Sequence, residues 1–519
     1  MSNHNNKLTL QNRRSGVLAH ISSLPGPYGI GDIGPEAYKF VDFLSASGQG
    51  WWQMFPLGPE GFGHSPYQTL SVFAGNALFI SLEFLEEDGL LTKEDISLDK
   101  SFPQNRVDFD RVQEFKDCLF EKAFNRFEQN RISPDYKRFR QFCSKNKRWL
   151  DDYAVYRALR RYYNRSPWWE WKPEHRIHHP LIHKKIEAPL GRWIHFHKFL
   201  QYEFFKQWNQ LKKYSRSKGI GIIGDLPIFV AADSADVWAH QDLFYLKKKG
   251  RPSMVAGVPP DYFSKTGQLW GNPLYKWDVH KRKGYRWWIE RLRMAFRLFD
   301  VVRLDHFIGF HNYWAVPAGE KTAQKGKWKK GPGADFFRKI TRVLGQTNFI
   351  AEDLGSVTPQ IKALREQFHF PGMRVLQFAF GKDPEAHFYL PHNYPKNCVV
   401  YTGTHDNDTT MGWFYDQGSS ASTRTKEDIS MEKDCVLGYL HSNGKEIHWD
   451  MIRLAIASPA NTAIFPVQDL LGLGTEARMN RPGTTEANWE WRLIPSQLNN
   501  HIIEKLLTLT QTYERTNKT

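Results

Sequence analysis

The chain has 519 residues, 41% of them hydrophobic and 15% aromatic, with a formal net charge of +16. That apolar content supports a large core and excludes a disordered chain, and no uninterrupted apolar run reaches membrane-spanning length. The four cysteines, Cys118, Cys143, Cys398 and Cys435, are scattered without a C-x-x-C pair, which predicts free thiols and excludes a disulfide scaffold.

In chain order, the polar start MSNHNNKLTLQNRRSG lacks the apolar stretch of a secretory signal, so a cytoplasmic protein is expected. Eight short apolar runs of strand character follow, at 16–23, 50–57, 219–229, 300–306, 348–355, 373–380, 398–406 and 462–469. Helical stretches lie between several of them, at 35–48, 287–299, 334–345 and 358–368. Strands alternating with helices imply parallel βαβ units, and eight of them imply an α/β fold of the (β/α)8, or TIM, barrel kind. The uneven spacing predicts one barrel domain over 1–519 with large insertions in the loops at the carboxyl face, at roughly 85–195, 231–285 and 407–460. The first holds aromatic-basic helices, and 231–280 reads as mixed loops.

Several conspicuous patterns carry little. The basic clusters KNKRW (145–149), RALRRYYNR (157–165), HKRKGYRWW (280–288) and KGKWKKG (325–331) interleave with aromatics, as nucleic-acid surfaces do. No common nucleic-acid module accompanies them, so a solvated face is the expectation, with no nucleic-acid partner. GPEGFGHS (58–65) resembles a phosphate-binding loop but lacks its lysine. HRIHHPLIH (175–183) is interrupted by Pro180 and has no cysteine nearby, so no metal is expected there.

The acids are more informative. Asp305 and Glu352 lie near the ends of the fourth and fifth runs, and Asp406 ends the seventh. In a closed barrel those three positions share one mouth, and like charges brought together there raise one another's pKa at a cost to stability. In VVRLDHF (301–307), residues i and i+2 of a strand face the same way, so Arg303 emerges beside Asp305 and favours its charged form. Alternation also makes Glu352 and Asp353 face opposite sides; the sequence by itself leaves open which one faces in.

The chain resembles the amylomaltases, or 4-α-glucanotransferases (glycoside hydrolase family 77 of the α-amylase superfamily). The resemblance runs over nearly the whole length through GVLAHISSLPGPYGIGDIG (16–34), GHSPYQTLSVFAGN (63–76), GDLPIFVAADSADVWAH (224–240), AGVPPDYFSKTGQLWGNPLY (256–275), VVRLDHFIGF (301–310), IAEDLG (350–355), YTGTHDNDT (401–409) and ARMNRPGT (477–484). It implies Asp305 as nucleophile, Glu352 rather than Asp353 as general acid/base, and Asp406 as the acid gripping the donor sugar. It implies substrate contacts for Tyr67, Asp225, Arg303 and His405, and an acceptor-side loop carrying Tyr262, Phe263 and Trp270. The implied partners are malto-oligosaccharides and α-1,4-glucans, with no metal or other cofactor, no membrane, and a monomer or weak oligomer. The alternatives are an α-glucan hydrolase and, from another class, a basic RNA- or polyanion-binding protein.

Overall fold

The computed structural model describes residues 8–179, 182–260, 266–355, 357–418 and 424–516. Eight parallel strands close a barrel in chain order: β1 (Arg14–Leu18), β2 (Trp51–Gln53), β3 (Gly221–Pro227), β4 (Val301–Asp305), β5 (Phe349–Ala351), β6 (Gly372–Val375), β7 (Cys398–Tyr401) and β8 (Thr462–Pro466). The last pairs back onto β1, leaving no free edge. Each expected apolar run overlaps one strand, and each strand ends before its run does. The apolar character continues because the chain leaves the ladder into buried turns, such as Ile21–Ser23 and Leu376–Phe378, at the carboxyl end of the barrel. The four expected helices lie at Pro35–Ala46, Arg286–Leu298, Gly333–Leu344 and Pro359–Gln367.

Alternation along each strand separates two cores. Leu18, Trp51, Ile223, Val301, Ile350, Val399, Tyr401 and Ile464 pack together inside the barrel. Trp52, Ile222, Val302, Leu304, Phe349 and Ala351 face the helices. On β3 the outward position beside Asp225 is Gly224, where a Cβ would collide with the Phe299 ring at 2.1 Å. Only glycine lets that helix–strand layer close.

Between β2 and β3 stand three long helices, Phe109–Gln129, Pro134–Tyr162 and Ile182–Ser217. The first is tied to the loop after β1 by a buried cation. Lys116 Nζ donates to Asp32 Oδ2 at 3.2 Å and to the carbonyls of Leu78 (2.8 Å) and Ile80 (3.0 Å).

The segment expected as mixed loops contains two strands, Met254–Val258 and Gln268–Pro273. With Asn312–Pro317 and Lys327–Lys330 they form a four-stranded antiparallel sheet, in which Trp314 and Trp328 sit opposite each other, ring centres 5.2 Å apart. Such cross-strand aromatic pairs stabilise short strands, but Met254–Val258 finds its second neighbour only at Asn312–Pro317, and a partner that distant leaves no local signal. No helix among the described residues is long and apolar enough to cross a membrane.

Candidate active site

Val301 lies in the barrel interior, so Arg303 and Asp305, which share its parity, point into the mouth. Arg303 is directly opposite Asp225 in the β3–β4 register. Its Nη1 donates to Asp225 Oδ2 at 2.6 Å and to Asp305 Oδ1 at 3.0 Å, while Nε points to Met373 Sδ at 3.3 Å. Burial pulls the guanidinium's pKa down, but the two carboxylates more than offset it and hold the pKa above its ordinary value. The result is a fixed positive charge between two acids.

Ile350 is also in the interior core, and Glu352 follows its parity. Asp353 turns the other way: it is ion-paired with Arg365 and accepts the Met373 N–H at 2.8 Å. Glu352 accepts two backbone N–H bonds, from His306 to Oε2 (2.7 Å) and from Leu354 to Oε1 (3.0 Å). Burial pushes its pKa up to about 7; Arg303 and the two N–H bonds oppose this, and Asp305 adds to it. Glu352 is 9% exposed, whereas the side chain of Asp305 is 27% exposed. One carboxyl is thus dry and poised between its two forms, and the other is open to the mouth.

Asp406 follows β7 and is the most open of the three, with 46% of its side chain exposed. Asn480 Nδ2 donates to its Oδ1 at 2.6 Å, and Arg478 Nη2 donates to its carbonyl at 2.6 Å. His405 presents Nε2 at 3.4 Å to Asp406 Oδ2. On its other side the ring stacks on Tyr67, with centroids 5.1 Å apart and planes at 23°. The Tyr67 hydroxyl donates to Asp225 Oδ2 at 2.8 Å. Hydrogen bonds, ion pairs and ring contacts therefore join Asp305, Arg303, Asp225, Tyr67, His405 and Asp406 into one chain of contacts.

Trp270 stands on the strand Gln268–Pro273, its ring edge-to-face with His306 at 4.8 Å. Gln68, next to Tyr67, donates to Asn272 Oδ1 at 3.2 Å and so ties its loop to that strand. Tyr262 and Phe263 lie outside the described residues.

A fixed charge beside one carboxyl and a dry second one is the division of labour that retaining glycosyl transfer uses. The model of the 4-alpha-glucanotransferase family matches residues 19–497. The chain belongs to that family. Among 4-alpha-glucanotransferases, that of Thermus thermophilus is 46% identical over 97% of this chain and 99% of its own length. The chloroplastic/amyloplastic enzyme of Solanum tuberosum is 43% identical, over 97% of this chain and 86% of its own. The solved structure of Streptococcus agalactiae amylomaltase in complex with acarbose superposes with a TM-score of 0.91 at 37% identity, covering 97% of this chain and 100% of that one. As a 4-alpha-glucanotransferase, the chain is an enzyme of the glycosyltransferase class.

Four side chains at this site carried no assigned part in the sequence reading. Arg478 and Asn480 lie in the ARMNRPGT signature, but nothing in that segment's pattern reveals that they hold Asp406. Trp489 packs against both Tyr67 (5.6 Å) and His405 (5.6 Å) from a left-handed backbone conformation, φ 67°. His306 follows Asp305 in VVRLDHF, and no local pattern there marks its contacts. Among the described residues no group of His, Cys, Asp and Glu side chains is arranged to hold a metal ion. Within 175–183, His175 contacts the Tyr163 hydroxyl at 2.8 Å and His178 pairs with Asp152 at 2.8 Å; residues 180–181 lie outside the described residues.

Proposed function

We propose that this enzyme moves α-1,4-glucan segments from a malto-oligosaccharide, starch-like or glycogen-like donor to the 4-hydroxyl of an acceptor glucan or glucose. The reading rests above all on one contrast: Asp305 touches a fixed guanidinium and faces the open mouth, while Glu352 is buried with its pKa near 7. In the first step an Asp305 oxygen attacks C1 as the glycosidic C1–O bond breaks, and the Glu352 proton goes to the leaving 4-oxygen. In the second, the acceptor 4-hydroxyl gives its proton to ionised Glu352 and attacks C1, releasing Asp305. Two inversions leave the α configuration unchanged.

Asp406, held by Asn480, accepts hydrogen bonds from the hydroxyls of the donor sugar as its ring flattens. Tyr67 and His405 provide a stacked aromatic wall beside it, and Asp225 fixes the Tyr67 hydroxyl. Trp270, with Tyr262 and Phe263 of the adjoining segment, receives the acceptor and disfavours attack by water. Four free cysteines, two of them exposed, suit a reducing, cytoplasmic setting.

Product analysis with maltotriose tests the proposal. Transfer gives glucose and a ladder of longer oligomers at nearly constant total reducing ends. Reducing ends that rise in step with donor consumption would instead make the enzyme a hydrolase.

A further inference from the structure

His306 joins two parts of the site that otherwise stand apart. Its backbone is left-handed, φ 53° and ψ 52°, a conformation a non-glycine residue keeps only where its surroundings fix it. From that conformation its N–H reaches Glu352 Oε2 at 2.7 Å. Its imidazole meets Trp270 edge-to-face, with centroids 4.8 Å apart and planes at 88°. The buried Nε2 has no hydrogen-bond partner among the described residues, so packing against its neighbours holds the ring. One of those neighbours is Gly309, where a Cβ would lie 2.9 Å from Ile228 Cδ1 and 3.0 Å from the ring's Cδ2. Burial keeps the imidazole neutral, its pKa pulled down to about 4.

We infer that His306 is a positioning residue that links Trp270 to the carboxyl of Glu352, so that a sugar seated against Trp270 sets how firmly the His306 N–H holds Glu352. The inference rests on the reading of Glu352 as acid/base. The other groups facing Glu352 are Arg303 and Asp305 from β4, the Leu354 N–H, and the Tyr389 phenol from the turn Ala386–Tyr389. Of the two N–H donors, only that of His306 belongs to a residue packed on Trp270. An N–H bond favours the carboxylate, so tightening it makes Glu352 give up its proton and loosening it makes Glu352 hold on. A two-step transfer needs that change: protonated Glu352 while the donor is cleaved, ionised Glu352 once the acceptor has arrived.

The test is the pH profile of kcat/KM on maltotriose for the wild type, His306→Asn, Trp270→Ala and the double variant. Asparagine tolerates the left-handed backbone, so His306→Asn removes the ring and keeps the turn. Each single variant should move the alkaline limb to higher pH by roughly half a pH unit or more, and the double variant should move it no further. Unmoved limbs, or shifts that add, overturn the link. If His306→Asn folds poorly, an unmoved limb in Trp270→Ala overturns the link by itself. The underlying reading is checked separately with α-glucosyl fluoride, whose leaving group needs no proton. If Glu352→Gln releases a burst of about one equivalent of fluoride and then stalls, the acid/base reading stands whatever the pH profiles give; if it releases no burst, that reading fails by itself.

Discussion

Arg303 Nη1 lies 3.0 Å from Asp305 Oδ1, two positions along the same strand and on the same face. The same nitrogen holds Asp225 at 2.6 Å across the β3–β4 ladder, so one buried cation aims one acid and neutralises another. Two carboxylates this close to each other are tolerable in a barrel only with that cation between them.

Arg303→Met should therefore strand both acids. We expect a loss of about 3–5 kcal/mol in stability, and a fall in kcat far larger than the change in KM. Arg303→Lys should not rescue kcat, because a flexible ammonium does not reproduce the fixed planar fork. Adding Asp225→Asn to Arg303→Met should return part of the stability and none of the kcat. Urea midpoints with steady-state kinetics decide this; a wild-type kcat in Arg303→Met would remove Arg303 from the aiming of Asp305.

Glu352 carries a pH signature in both activity and stability. Its folded pKa is raised from 4.5 to about 7, so the folded state holds a proton that the unfolded chain releases above about 4.5. The stability linked to that proton is complete below 4.5 and is lost as pH rises towards 7. Glu352→Gln cannot ionise, so its urea midpoint should gain on the wild type between about pH 5 and pH 8, by on the order of 3 kcal/mol at most. The wild-type kcat/KM on maltotriose should fall as pH passes about 7. A stability difference that does not change with pH would mean that Glu352 is not titrating in that range.

The Lys116–Asp32 pair predicts a rescue. Lys116 is fully buried, and burial pushes the Asp32 pKa up to about 6 despite its partner. Lys116→Met should destabilise by about 3–5 kcal/mol by leaving Asp32 unpaired, and Lys116→Met with Asp32→Asn should recover most of it. Thermal unfolding measures both, and a double variant as weak as the single one would show that the carbonyl contacts of Lys116, not its charge, hold the helix.

Much of the barrel was legible because a strand's period of two and its β-branched residues are local properties. Val301 and Ile350 show how far this reaches: once either is known to be inside, the direction of Asp305 or Glu352 follows. What could not be read was which parity faces in, since β5 is apolar on both sides, with Phe349, Ile350 and Ala351 all buried. Strand ends were overread because the turns beyond them are as buried as the strands. The Met254–Pro273 hairpin was missed because its neighbour strands come later in the chain, and Asn480 was missed because its contact with Asp406 spans 74 residues. The ring of His306 packs on Trp270, which lies outside any short window of sequence around it.

The central claim is that Asp305 forms the bond to the sugar and Glu352 moves the proton, and trapping the intermediate tests it most directly. Glu352→Ala is treated with α-glucosyl fluoride and the intact protein is weighed by mass spectrometry. The first step needs no acid with this donor, and the second has no base, so one glucosyl group should accumulate and map to the peptide containing Asp305. Azide should release it as β-glucosyl azide, and Asp305→Ala should form no adduct. If Glu352→Ala yields no adduct while Asp353→Ala does, or if the sugar maps to a residue other than Asp305, the account is wrong.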